Sequence, residues 1–103
     1  MKIAIATVEK NSKSKISIRG GRAPYYLIFD EKGELLEIIS NPFTSGGGGA
    51  GTSVAKMLAD IKVDLVIVGE VVEKMSESLK QRGVSFQERG GIVEDVLKEF
   101  IKN

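Results

Sequence analysis

The sequence predicts an α/β domain built on a mixed five-stranded sheet, and three features carry that prediction. Three runs rich in Ile, Val and Leu open the chain: Lys2 to Val8, Tyr25 to Asp30 and Leu35 to Ser40. Each is short and bounded by polar or turn residues, as strands are. Two further apolar runs, Val63 to Val68 and Val84 to Gln87, alternate in the second half with apolar positions at helical spacing. The resulting order, β-β-β-α-β-α-β-α, describes an antiparallel meander feeding right-handed parallel crossovers, with helices packed on the sheet.

Asp30-Glu31-Lys32-Gly33-Glu34 supplies the turn residues of a hairpin between the second and third strands, and Pro24 stands at a strand's first position, where proline is tolerated. After a glycine-rich stretch, Val54, Leu58 and Ile61 with Met57 beside them predict a helix over about Thr52 to Asp60. Val63 to Val68 is almost continuously apolar, which fits a parallel strand covered on both faces. Val72, Met75 and Leu79 mark a second helix, which Gly83 ends as a C-terminal glycine cap. Val93, Val96, Leu97, Phe100 and Ile101 give the closing helix its apolar stripe. The two remaining stretches, Glu9 to Gly21 and Asn41 to Gly51, read as flexible connections, and function is sought there.

At 103 residues and 42% apolar content, residues 1–103 fit one domain with one modest core. A formal net charge of +1 provides no overall field to draw the chain onto nucleic acid or an anionic membrane. No apolar run approaches the roughly 20 residues that span a bilayer, so a cytoplasmic protein is expected. The chain has neither Cys nor His. Thiolate nucleophiles, disulfides, all-Cys metal sites and imidazole acid/base chemistry are therefore excluded. Abundant Lys, Glu and Ile with few Asn and Gln hint at a heat-adapted source.

Ser45 is followed by Gly46, Gly47, Gly48, Gly49, Ala50, Gly51, Thr52 and Ser53, a flexible backbone leading into a helix. Unpaired N–H groups and the positive end of the helix dipole can receive an anion there. The same residues would also serve as a loose connection, with Thr52 or Ser53 capping the helix. Gly46-x-Gly48-x-x-Gly51 matches a dinucleotide fingerprint, with Glu70 near the ribose-binding distance, but any glycine run satisfies that pattern. A phosphate-binding loop would need Lys where Thr52 stands.

Arg19 and Arg22, with Gly20 and Gly21 between them, offer planar donors to phosphate, carboxylate or a sulfide-rich cluster, although solvated surface charge is the commoner fate of Arg. Glu9 and Glu70 follow the first and fourth strands and would emerge on one edge if those strands are parallel neighbours. Such a pair could hold a divalent cation for a nuclease or phosphodiesterase, a site that ordinarily needs further acids. Asp30 points to the opposite edge. The run Lys10 to Lys15 lacks interleaved aromatic residues for base stacking and reads as a solvated loop, while Tyr25, Tyr26 and Phe29 read as sheet residues.

Gly21-Arg22-Ala23-Pro24-Tyr25-Tyr26, Asn41-Pro42-Phe43, Gly48-Gly49-Ala50-Gly51, Leu65 to Gly69 and Gly91 to Val96 together resemble the dinitrogenase iron-molybdenum cofactor biosynthesis family, and the likeness spans nearly the whole chain. The resemblance implies a three-layer ribonuclease H-like α/β fold. It also implies a non-catalytic carrier of iron–sulfur or iron–molybdenum cofactor precursors. The family often reads His-Phe-Gly-Arg-Ala-Pro where this chain has Arg19 to Pro24, so Arg19 replaces a potential ligand that it cannot imitate.

The expectation is a non-enzymatic binding protein. Its anion-accepting edge comprises Arg19, Arg22, Gly46, Gly47, Gly48, Gly49, Ala50, Gly51 and Thr52, and its partner is an anionic small molecule or metal cluster. Two alternatives stand beside it: the metal-dependent nuclease using Glu9 and Glu70, and a protein-interaction module using an exposed sheet edge or helix face.

Overall fold

The computed structural model describes residues 1–44 and 49–101. Five strands form one sheet: β1 (Lys2–Thr7), β2 (Tyr25–Asp30), β3 (Leu35–Ser40), β4 (Leu65–Val68) and β5 (Ser85–Glu88). Three helices accompany them: α1 (Ala50–Asp60), α2 (Glu73–Gln81) and α3 (Val93–Leu97). The strand order is β3-β2-β1-β4-β5. β1 pairs antiparallel with β2 and parallel with β4, which itself pairs parallel with β5. Both the element order and the mixed sheet agree with the expectation from sequence.

The alternation of side chains along a strand sorts the core into two halves. Ala4, Ala6, Tyr26, Ile28, Val66 and Val68 share one side with Val54 and Leu58 of α1 and Met75 and Leu79 of α2. Ile3, Ile5, Leu27, Phe29, Leu65 and Ile67 share the other with Val93, Val96 and Leu97 of α3. A sheet covered on both faces explains why β1 and β4 are apolar without alternation. Register is fixed by the same division. Slipping β1 by one residue would exchange Ile3 and Ile5 for the alanines, and each fully buried Ile contributes about 1.5–3 kcal/mol.

Helix ends follow local chemistry. At Gly83, with φ at 72°, the chain turns back so that Gly83 N–H donates to Lys80 O and Val84 N–H donates to Leu79 O. This pair of bonds is the Schellman arrangement, at the glycine where the sequence predicts a cap. α1 ends in the same way without a glycine: Lys62, φ 68°, donates to Ala59 O while Val63 donates to Leu58 O.

The segment from Glu9 to Gly21, expected to be a flexible connection, is instead tied to the sheet. Ile16 is buried and bridges Thr7, and Lys15 bridges Ile92. The buried Ser14 hydroxyl accepts from the N–H groups of Val8 and Glu9 at 3.2 and 3.0 Å and donates to Lys15 O at 2.8 Å. Polar composition concealed this, because the hydrogen bonds that hold the segment are made by main chain and a few polar side chains such as Ser14 and Thr7.

Both sheet edges are exposed. On β3 the register shifts between Ile28, opposite Glu37, and Phe29, opposite Leu35, so Leu36 has no opposing residue. Such a bulge twists an edge away from regular pairing. Among the described residues no helix is long and apolar enough to cross a membrane.

Candidate functional site

Topology brings three connections to one end of the sheet. Because β1 and β2 are antiparallel with Thr7 opposite Tyr25, the chain from Arg19 to Pro24 enters β2 where β1 leaves off. Ser40 at the end of β3 also pairs with Tyr25, so the run into α1 starts from the same end. β4, parallel to β1, delivers Gly69 and Glu70 there. This is the carboxyl-end crevice where open α/β sheets place ligands.

The three connections touch. Arg19 bridges Glu70 in parallel fashion, with Glu70 N–H donating to Ile18 O at 2.6 Å and Gly69 N–H to Ser17 O at 2.9 Å. A Cβ on Gly69 would lie 2.6 Å from Ile18 Cα, so only glycine permits this approach. Likewise a Cβ on Gly21 would lie 2.7 Å from Gly51 N and 3.1 Å from Ala50 C, placing the arginine loop against the first turn of α1. Met75 of α2 fills the space behind both loops. A Cβ on Gly20 would meet its sulfur at 2.7 Å, and one on Gly51 would meet its Cβ at 2.9 Å.

Two buried polar side chains fix the arginine loop from below. The Tyr26 hydroxyl donates to Gly20 O, and burial raises its pKa well above the ordinary phenol range, so it remains a donor. Asn41 donates from Nδ2 to Gly21 O at 3.1 Å and to Ala23 O at 2.9 Å, while its Oδ1 accepts from Phe43 N–H at 2.9 Å. Its own N–H donates to Pro24 O. The Asn41 amide thus joins the arginine loop to the turn after β3.

The result is a cleft of about 370 Å³ lined by Arg19, Gly20, Gly21, Arg22, Gly49, Ala50, Gly51, Glu70 and Val72. That volume lies at the lower end of the roughly 300–1,000 Å³ typical of small-molecule sites. Arg19 and Arg22 are both exposed, and Arg22 Nη1 donates to Thr44 O at 3.2 Å. Gly49, φ 90°, caps α1 through its backbone alone, and Ser53 N–H donates to Gly49 O. The N–H groups from Gly49 to Thr52 therefore have no acceptor one turn back within the helix. Two guanidinium groups and a helix amino end on one wall favour an anion.

Of the residues singled out by sequence, Arg19, Arg22, Gly49, Ala50 and Gly51 meet at this cleft. Gly46, Gly47 and Gly48 lie outside the described residues. Thr52 is not part of the lining, because α1 begins at Ala50 rather than Thr52 and carries this exposed side chain past the cleft within its first turn. Neither Thr52 nor Ser53 caps the helix. Glu9 is also absent from the lining, and among the described residues no three His, Cys, Asp or Glu side chains gather to hold a metal ion.

Val72, placed by its spacing on the apolar stripe of α2, instead precedes the helix as its N-cap, 64% exposed, and forms part of the cleft wall. From sequence Asn41 stands at the start of a loop and in a family pattern, with no structural role of its own assigned. Its signal was available: Asn directly after a strand, two residues before Phe43, is the setting of an Asx turn.

Comparison with known proteins places this architecture. A Thermotoga protein provisionally assigned as NifB and placed in the DUF35 family, solved by NMR, is 32% identical and superposes with a TM-score of 0.79 over 96% of this chain and 85% of that one. The apo form of the orange protein from Desulfovibrio gigas shares the fold at a TM-score of 0.88, covering 96% of this chain and 85% of that one, at 23% identity. An uncharacterized protein of Methanocaldococcus jannaschii is 29% identical over 106 residues, 99% of this chain and 86% of the relative. With residues 1–103 all matching its family description, the chain belongs to the dinitrogenase iron-molybdenum cofactor family.

Proposed function

We propose that this protein is a non-catalytic carrier of an anionic metal cluster, an iron–sulfur or iron–molybdenum cofactor precursor, held in the cleft between the arginine loop and the amino end of α1. The observation that carries the reading is the convergence of Arg19, Arg22 and the Gly49 to Gly51 backbone on one cleft. Family membership supports a role connected with that cofactor. We also read the meander and its crossovers as ribonuclease H-like, which the strand order favours.

The donor set suits such a cargo in a particular way. Sulfide-bridged clusters are compact polyanions whose sulfides accept hydrogen bonds, and guanidinium and backbone N–H groups donate them. Glycine at positions 20, 21 and 51 lets the arginine loop, the first turn of α1 and Met75 pack closely enough to form the cleft wall. Without Cys or His, the cleft holds its cargo chiefly by charge and hydrogen bonding, which allows release.

Anaerobic incubation of the apoprotein with a thiolate-capped cubane iron–sulfide cluster, followed by gel filtration and metal analysis, tests the reading. Co-elution of iron and sulfide with the wild type and its loss from an Arg19→Ala, Arg22→Ala double variant are expected. Equal retention by that variant would refute the proposed site.

A further inference from the structure

The two edges of the sheet differ in chemistry. On β5, Ser85, Gln87 and Glu88 are exposed and polar, and the apolar Phe86 packs in part against the core. On β3, Leu35, Leu36 and Ile38 are 47%, 50% and 41% exposed, with Glu37 the only charge in the strand. Edge strands are ordinarily blunted by charge, proline or a bulge. The bulge at Leu36 blunts the first half of β3 and leaves Glu37 to Ser40 in regular register with β2. Asn41 N–H donates to Pro24 O, so the alternation of an antiparallel ladder turns the main-chain groups of Ile39 and Glu37 toward β2 and those of Ile38 and Ser40 outward. Regular main chain beside exposed apolar side chains is a template for a further strand.

The two ends of β3 carry opposite charge. Before it stand the hairpin carboxylates of Asp30, Glu31 and Glu34, with Lys32 among them. Beside its far end stand two cations: Arg22 donates to Thr44 O, and the Lys10 ammonium lies 5.3 Å from the ring centroid of Tyr25, the residue that pairs with Ser40. Antiparallel pairing of two such strands sets the acidic end of each beside the basic end of the other, whereas parallel pairing sets like against like. We propose that β3 pairs antiparallel with β3 of a second copy about a two-fold axis through Ile38, joining the two sheets into one. Ile38 of each copy exchanges main-chain hydrogen bonds with Ile38 of the other, and Glu37 faces Ile39, so no carboxylate stands directly opposite another. Both copies use the same edge, and the polar β5 edge offers no equivalent, so association closes at the dimer. A ladder this short makes the dimer weak and reversible. The pairing is independent of what the cleft carries.

Sedimentation equilibrium of the intact chain, from micromolar to near-millimolar concentration, reads the association. The wild type is expected to rise from its monomer mass of 11.1 kDa toward twice that mass and no further. Ile38→Lys places like charges opposite each other at the axis, and Ser40→Pro deletes an outward N–H at an edge position that tolerates proline. Each is expected to weaken association at least about tenfold while the circular dichroism spectrum stays that of the wild type. Ser85→Lys, on the β5 edge, is expected to associate as the wild type does. A wild type that stays monomeric throughout, or β3 variants that associate undiminished, would overturn the proposal. So would loss of association in Ser85→Lys, or a wild-type mass that climbs past the dimer.

Discussion

Replacing Gly21 by Ala offers the most direct check on how the cleft is assembled. The added methyl would sit 2.7 Å from Gly51 N, 3.0 Å from Gly51 Cα and 3.1 Å from Ala50 C, all of them main-chain atoms in the first turn of α1. No rotamer change can relieve contacts with backbone, so the arginine loop and the helix must part by several tenths of an ångström. Overpacking of this kind costs about 1–3 kcal/mol, against about 0.4–1 kcal/mol regained from the less flexible unfolded chain. A net loss of about 1–2 kcal/mol follows, and each kcal/mol lowers Tm by roughly 4–8 °C in a domain near this size. Thermal unfolding by circular dichroism measures it, and amide chemical shifts of Ala50 and Gly51 report whether the loops have separated. Gly90→Ala is the control, because a Cβ there meets nothing within 4 Å, and its Tm is expected to hold or rise. A Gly21→Ala protein with unchanged Tm and unshifted Ala50 and Gly51 amides would refute the close packing of the two loops.

Asn41→Ala removes two donated bonds and one accepted bond and leaves the carbonyl of Ala23 in a buried setting; a loss of about 1–3 kcal/mol in urea unfolding is expected, together with weaker ligand retention. Lys62→Gly relieves a left-handed backbone at the end of α1 and is expected to stabilise the fold by up to about 1 kcal/mol, measured as a higher urea midpoint at constant slope. Asp30 is held below the ordinary carboxylate range, first by the Glu34 N–H and also by that of Lys32. Its contribution is therefore complete above the unfolded carboxylate pKa and lost as pH falls through the lowered folded value. The stability gap between wild type and Asp30→Asn should narrow on acidification, and a gap that stays constant down to acid pH would contradict the hairpin bonding.

Amino-acid sequence alone determined which segments become strands and helices, because those choices rest on local patterns. The Ile- and Val-rich run at β1, the turn residues at Asp30 to Gly33, the apolar spacing of Val54 and Leu58 and the glycine at 83 each act over a few residues. Arg19, Arg22 and the glycine run were legible as ligand chemistry for the same reason, and the family resemblance as a set of such short patterns. What only tertiary structure decided was which of these segments meet. The contacts of Gly69 with Ile18 and of Gly21 with Gly51 join residues far apart in the chain, and they depend on β1 lying between an antiparallel and a parallel neighbour. Glu70, a solvated loop-end acid by sequence, remains exposed but comes to line the same cleft as two arginines, while Thr52 lies outside it because α1 begins two residues earlier than its apolar spacing implies. The structural roles of Asn41 and Ser14 were not legible because a small polar side chain is uninformative until the main-chain groups around it are fixed in space. Composition, with neither Cys nor His, left guanidinium, carboxylate and main-chain groups as the polar chemistry at hand; the folding of the sheet assembled those groups into one cleft, since strand order sets which loops share an edge and local sequence does not.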